Sequence, residues 1–165
     1  MANSSVLVPQ MTGDAYLRFR VGQVSALLSM KHVQETLILP SRRITPMPNV
    51  SPCMVGLTNR RNRVMWVIDL AQLFGLAVLD ISDEQYMLIL MQVDSVSLGL
   101  AVHQVEGTIR LEANSIQPPA GQVAHSLLPY LKGYVLQQQE AQEILLVLDG
   151  GAIAHSPVFR DPVFV

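Results

Sequence analysis

A single cysteine, Cys53, occurs in the chain, so no internal disulfide can form and a reducing, cytoplasmic location is expected. Aromatic residues are scarce at 5%, which leaves little from which to build a base-stacking surface. Charge is scarce too: 11 Lys and Arg stand against 13 Asp and Glu, for a formal net charge of −2. That balance argues against a general affinity for nucleic acid or anionic membranes. Long apolar runs are absent. The most hydrophobic stretch, Tyr86 to Val102, is interrupted by Gln92, Asp94, Ser95 and Ser97, whereas a spanning helix needs roughly 20 mostly apolar residues. No basic segment leading into an apolar one opens the sequence, so neither a secretory signal nor direct membrane insertion is expected.

Catalytic patterns are missing as well. His32, His103, His125 and His155 are far apart, with no HxxxH or HxH pair, so no metal is expected. Cys53 sits among apolar residues without a nearby base and reads as a buried structural thiol. No GxSxG, P-loop or GxGxxG pattern occurs, and Gly150-Gly151 reads as a turn. Asp80, Asp83 and Glu84, like Glu140 and Glu143, read as solvated loop carboxylates. A non-enzymatic protein without a cofactor is the expectation. An enzyme would need a site assembled from distant residues, such as His103 or His125 beside a carboxylate.

What is present is a core. Half of the 165 residues are hydrophobic, enough for one domain without disulfides or metals. Residues 1–13 and 157–165 read as tails around a domain at 14–156. Leu17, Phe19 and Val21 alternate with Arg18 and Arg20, the period of a half-buried strand, and Gly22-Gln23 turns the chain into a second strand, Val24 to Met30. Lys31 to Leu37 fits a strand or a helical turn. Pro40, Pro46 and Pro48 keep 38–48 extended. Ser51-Pro52 is expected to start a helical turn carrying Cys53, Met54 and Val55, closed by Gly56. Val55 to Asn59 and Val64 to Asp69 form a hairpin around Arg60–Arg63, with Asn62 suited to a positive φ. The run Val64 to Ile68 is expected to be covered on both faces, with Trp66 in the core. Asp69 caps a short helix that Gly75 ends. Further strands are expected at 86–93, 98–102, 107–111, 133–136 and 144–148, separated by breakers at Asn114-Ser115 and Pro118–Gly121 and by a hairpin loop at 137–142. Many short strands and no long helix imply an all-β sandwich or barrel. No sequence repeat is visible.

One cluster stands out. Arg60, Arg61 and Arg63 surround one turn in a chain with few charges. Arginine pairs bidentately with carboxylates and is frequent at binding hot spots.

The segment from Ile44 through Pro46, Pro48, Asn49 and Pro52 to Met54-Val55-Gly56-Leu57-Thr58-Asn59-Arg60-Arg61, then Val64–Ile68, Asp69-Leu70 and Leu73-Phe74-Gly75, resembles the CheW family. Members carry a proline-asparagine loop, G-x-x-N-x-R-G, an apolar strand, and D-L before a helix ending in F-G. Leu17–Gly22, Val33-Gln34-Glu35, Leu98–Val105, Tyr130–Gly133 and Leu146–Asp149 echo other family elements in the right order. The resemblance implies an all-β fold of two small five-stranded SH3-like barrels on a shared core, with a few short helical turns. It implies a non-catalytic adaptor that binds the cytoplasmic tip of a chemoreceptor and the regulatory domain of a CheA-type histidine kinase, in the cytoplasm at membrane-bound receptor arrays. Receptor contact would fall on Arg61, Glu35 and Val33, with Gly56 supporting that surface. Asn59, Asn62, Asp69 and Gly75 would shape turns. Kinase contact would use exposed apolar ends of the barrels. At this length the stand-alone adaptor is expected, without a kinase or receiver domain.

The chain departs from the pattern where Asn62 replaces a glycine, Trp66 a proline, Arg60 an apolar residue and His103 an aspartate. These departures point to a divergent branch, in pilus motility or phototaxis rather than flagellar control. The competing reading is a β-barrel that binds nucleic acid through the arginine tip.

Overall fold

The period-two pattern at the start of the chain becomes a strand whose Leu17, Phe19 and Val21 are buried. In the computed structural model, which describes residues 12–76, 84–119, 123–138 and 142–159, this strand is β1 (Asp14–Val21). It is followed by β2 (Val24–Ser29), β3 (Val33–Pro40), β4 (Met54–Arg60), β5 (Arg63–Asp69) and helix α1 (Leu70–Leu73). Then come β6 (Gln85–Val93), β7 (Val96–Val102), β8 (Gln104–Leu111), β9 (Leu131–Gln138), β10 (Gln142–Leu148) and helix α2 (Gly150–Ala154). They form two five-stranded sheets, ordered β8-β1-β2-β10-β9 and β3-β6-β7-β5-β4. No helix among the described residues is long and apolar enough to cross a membrane.

The sheets share one apolar core. Phe19, Ala26 and Leu28 from the first meet Val67, Ile68, Leu88, Ile89 and Leu100 from the second, with Leu70, Phe74 and Ile153 from the helices. A smaller cluster, Leu27, Val135, Leu145 and Val147, fills the inside of the first barrel. Arg18 closes that interior. Its guanidinium reaches Glu143 at 2.6 Å, Gln137 at 2.9 Å and Glu106 at 3.3 Å, and Ser25 Oγ donates to the second oxygen of Glu143. Glu106 and Gln137 lie on β8 and β9, the two edges of the sheet, so one side chain draws the edges together. Glu143 is thus no idle loop carboxylate. Its bonds to Ser25 and Arg18 hold it below the usual carboxylate range.

The two barrels repeat one chain path. The order β3-β4-β5-α1-β6-β7 is matched by β8-β9-β10-α2 completed by β1-β2, with a parallel pair in the middle of each sheet. Thr45 bridges Leu57 as Gln117 bridges Tyr134. Asp69 accepts from the Gln72 N–H at 3.2 Å, and Asp149 from the Ala152 N–H at 3.0 Å. These caps are worth about 1 kcal/mol each.

Four local expectations change. Ser41–Arg43, inside the 38–48 stretch expected to stay extended, form a short 3₁₀ turn right after Pro40. Ser51–Cys53 make a tight turn, not a helical one, because β4 begins at Met54 and its ladder with β5 competes successfully for the backbone. Gly56 therefore ends no helix; it lies buried at a bulge in β4. Val64 is 62% exposed, since β5 projects past the core at this end, and Trp66 is half-buried, packed against the core from outside. Lys31–Leu37 resolves into strand, from Val33 onward. The expected tails fall mostly outside the described residues, as do Asp80, Asp83, Glu140, the 139–141 loop tip and part of the 118–121 breaker. Pro157–Phe159 are described and form a 3₁₀ turn, with Val158 and Phe159 against the core.

Candidate partner-binding site

The hairpin between β4 and β5 has a two-residue loop, Arg61-Asn62, flanked by the paired Arg60 and Arg63. Both loop residues have positive φ, 54° and 63°, the geometry whose twist matches that of the flanking strands. Asparagine tolerates this region well; arginine does not. The turn holds the Arg61 side chain 77% exposed.

Arg60, by contrast, is engaged at close range. Its Nε and Nη2 donate to the two oxygens of Glu35 at 3.0 and 3.1 Å. Glu35 sits on β3, at the opposite edge of the sheet from β4, so this pair spans the mouth of the second barrel. Arg61 Nη2 lies 3.7 Å from the same carboxylate, outside hydrogen-bonding range. Hydrogen bonding from Arg60 holds Glu35 below the usual carboxylate range, against a weaker opposing desolvation. Among the described residues, Arg63 meets only neutral groups, Gln92 Oε1 at 3.4 Å and Ser97 Oγ at 3.3 Å.

Together these residues line an open groove of about 660 Å³, with Gln34, Glu35, Arg60, Arg61, Arg63, Met65, Leu90 and Gln92 on its walls. Three arginines face one carboxylate, and no aromatic ring lines it among the described residues. Of the residues expected at a receptor site, Arg61 and Glu35 meet here. Val33 lies two residues earlier on β3, half-buried against the core. Gly56 is also outside the groove: a Cβ there would stand 2.3 Å from the Thr45 carbonyl oxygen, so its role is to let the segment at Thr45 approach. Asn59 is exposed on β4 opposite Val64. Gly75, at φ 74°, follows the helix that Asp69 caps. Arg63 and Arg60 belong to the site beyond the expected pair; their signal was the arginine cluster itself.

Other chemistry is sparse. Burial pushes the Cys53 thiol up, away from nucleophilic character. His103 accepts from the Gly22 N–H at 2.9 Å and lines a pocket with Arg20, Gln104 and Leu76 but no carboxylate. His125 is exposed. Among the described residues, no cluster of three His, Cys, Asp or Glu is placed to hold a metal.

A family model, the CheW-like domain, matches residues 15–158. The chain belongs to the CheW-like domain family. Its fold is similar to that in the crystal structure of the scaffolding protein TtCheW from Thermoanaerobacter tengcongensis, with a TM-score of 0.68 at 20% identity, over 84% of this chain and 90% of that one. No curated protein matches the sequence. The two-barrel, SH3-like architecture expected of a CheW-like chain is the one observed.

Proposed function

We propose that this protein is a non-catalytic scaffold that couples the cytoplasmic tip of a chemoreceptor to the regulatory domain of a CheA-type histidine kinase. One observation carries the reading. In a CheW-family chain, Arg61 is held in a left-handed conformation and thrust into solvent at the rim of a charged groove. Backbone strain at an exposed, weakly partnered side chain is characteristic of a binding residue. A receptor tip is a helical hairpin, and a groove with an arginine at its rim suits such a partner.

Receptor contact is assigned to Arg61 and Glu35, with Val33 and Gly56 shaping the strands behind them. Kinase contact is assigned to the exposed apolar residues at the barrel ends: Val64 on the second, and Leu136 with its cross-strand partner Ile144 on the first. Each interface is small, and strength comes from many subunits engaging together in a cytoplasmic array beneath the membrane. Receptor state then biases the geometry of the bound kinase, and the adaptor itself performs no chemistry.

The test is a pull-down from the native organism with the tagged chain beside an Arg61→Glu variant, read by mass spectrometry. A chemoreceptor and a CheA-type kinase are expected with the wild type, and the receptor is lost with the variant. Recovery of neither, or loss of fold in the variant by circular dichroism, counts against the assignment.

A further inference from the structure

We infer that the groove between β3 and the β4–β5 hairpin takes a segment of its partner that carries carboxylate and aliphatic side chains. Arg61 and Arg63 hold the carboxylates, and Arg60 serves as the groove's internal counter-ion to Glu35. This rests on the adaptor reading for the partner's identity, while the groove chemistry follows from its own residues.

Both oxygens of Glu35 accept from Arg60 in a fork-to-fork pair. A basic partner residue would have to displace a guanidinium already bound in the geometry that suits it best. A carboxylate meets no such competition. Arg61 is 77% exposed and 3.7 Å from an oxygen already engaged, and Arg63 bonds only to the neutral Gln92 and Ser97. Arg61 thus only shares, at ion-pair distance, a carboxylate that Arg60 already binds, and Arg63 has no carboxylate within ion-pair range among the described residues. Met65 and Leu90 offer aliphatic contact beside them. A single-stranded nucleic acid fits less well, because the described residues lining the groove include no ring on which a base could stack and the chain as a whole is acidic.

Arg60 then acts without touching the ligand. By holding Glu35 toward β4 it keeps that carboxylate from pairing fully with Arg61. In Arg60→Leu the freed Glu35 turns to Arg61 and occupies the charge the partner needs. Arg60 is a positioning residue for partner recognition.

The experiment is a titration of the full chain with a peptide of alternating glutamate and leucine, followed through arginine side-chain Nε–H and methionine methyl resonances by NMR. Twin peptides with glutamine or lysine in place of glutamate, and a single-stranded DNA oligonucleotide, serve as comparison probes. Shifts at Arg61, Arg63 and Met65 are expected with the glutamate peptide alone. Affinity should fall about tenfold in Arg63→Gln, the effect of one charge-assisted contact, and fall also in Arg60→Leu while the backbone spectrum stays native. Should Arg60→Leu fail to fold, Arg63→Gln decides alone. Equal response to the glutamine or lysine peptide, tighter binding of the oligonucleotide, or no response to any probe overturns the inference. The pull-down stands apart from this. Receptor recovered there, with no glutamate response here, removes the acidic-partner inference and leaves the adaptor standing; the opposite pair of results does the reverse.

Discussion

Arg60 and Glu35 join strands that share no backbone hydrogen bond: β4 and β3 are the two edges of one sheet, and the paired side chains span its open side. The contact therefore does in the second barrel what Arg18 does in the first, where it links β8 to β9. In both, ionic side chains meet where the ladder ends, and the barrel closes without a continuous ring of strands.

The pair carries a pH signature. The folded state holds the Glu35 pKa below its unfolded value. Its contribution to stability is complete above that value and is lost as pH falls through the lower folded value. Glu35→Gln should therefore melt lower than wild type at pH 7, and the gap should close in acid. Thermal melts of both proteins at neutral pH and near pH 3 check this, and a gap that persists in acid would assign the effect to packing instead.

Arg61 predicts an opposition between stability and binding. A left-handed arginine costs about 1 kcal/mol relative to a residue that tolerates the region. Arg61→Asn, with Asn62 unchanged, should raise stability by up to about 1 kcal/mol in a denaturant titration while weakening receptor capture. A variant that loses stability would show that the arginine is held for the fold.

The β4–β5 turn and the capped helix α1 with Gly75 after it are legible in the sequence because their signals are local: a turn that needs positive φ, an aspartate cap, a glycine after a helix. The Arg60–Glu35 pair is not, because the partners are 25 positions apart on strands that meet only after the barrel closes. The Arg18–Glu143 pair spans 125 positions and hides in the same way. Alternation placed Arg18 opposite the core-facing Leu17, Phe19 and Val21, but it could not show that this second face lines a barrel interior. Val64 and Trp66 mislead for a related reason. An apolar run reads alike whether its outer face meets the core or projects beyond it, and exposed apolar surface looks like core in sequence. The internal repeat is concealed by its order, since β1 and β2 complete a barrel whose other strands come last.

That repeat makes its own prediction. Gly56 and Gly133 occupy matching places, each beside the carbonyl of a bridging residue: an added Cβ would stand 2.3 Å from Thr45 O in one and 2.1 Å from Gln117 O in the other. Backbone cannot give way as a side-chain tip can. Gly56→Ala and Gly133→Ala should each cost about 1–3 kcal/mol, the usual range for overpacking, in urea titrations. A Gly56→Ala protein of native stability would show that the segment at Thr45 moves freely, and Gly56 would then belong to the binding surface after all.

The exposed apolar residues separate the two ends of the molecule. Val64 and Ile144 both precede the buried half of a strand that leads into a capped helix, β5 into α1 and β10 into α2, and they are 62% and 56% exposed. Neither contributes much to the core, so Val64→Lys and Ile144→Lys should each change stability by less than about 0.5 kcal/mol, as surface substitutions do. Their effect should appear in association. A lysine at the centre of an apolar contact removes buried area and leaves a charge to desolvate. The variant that lowers recovery of the kinase, with receptor recovery unchanged, identifies the barrel end that docks it. Equal loss in both would mean that the kinase bridges the ends of neighbouring subunits, and unchanged recovery in both would move kinase contact off the barrel ends altogether.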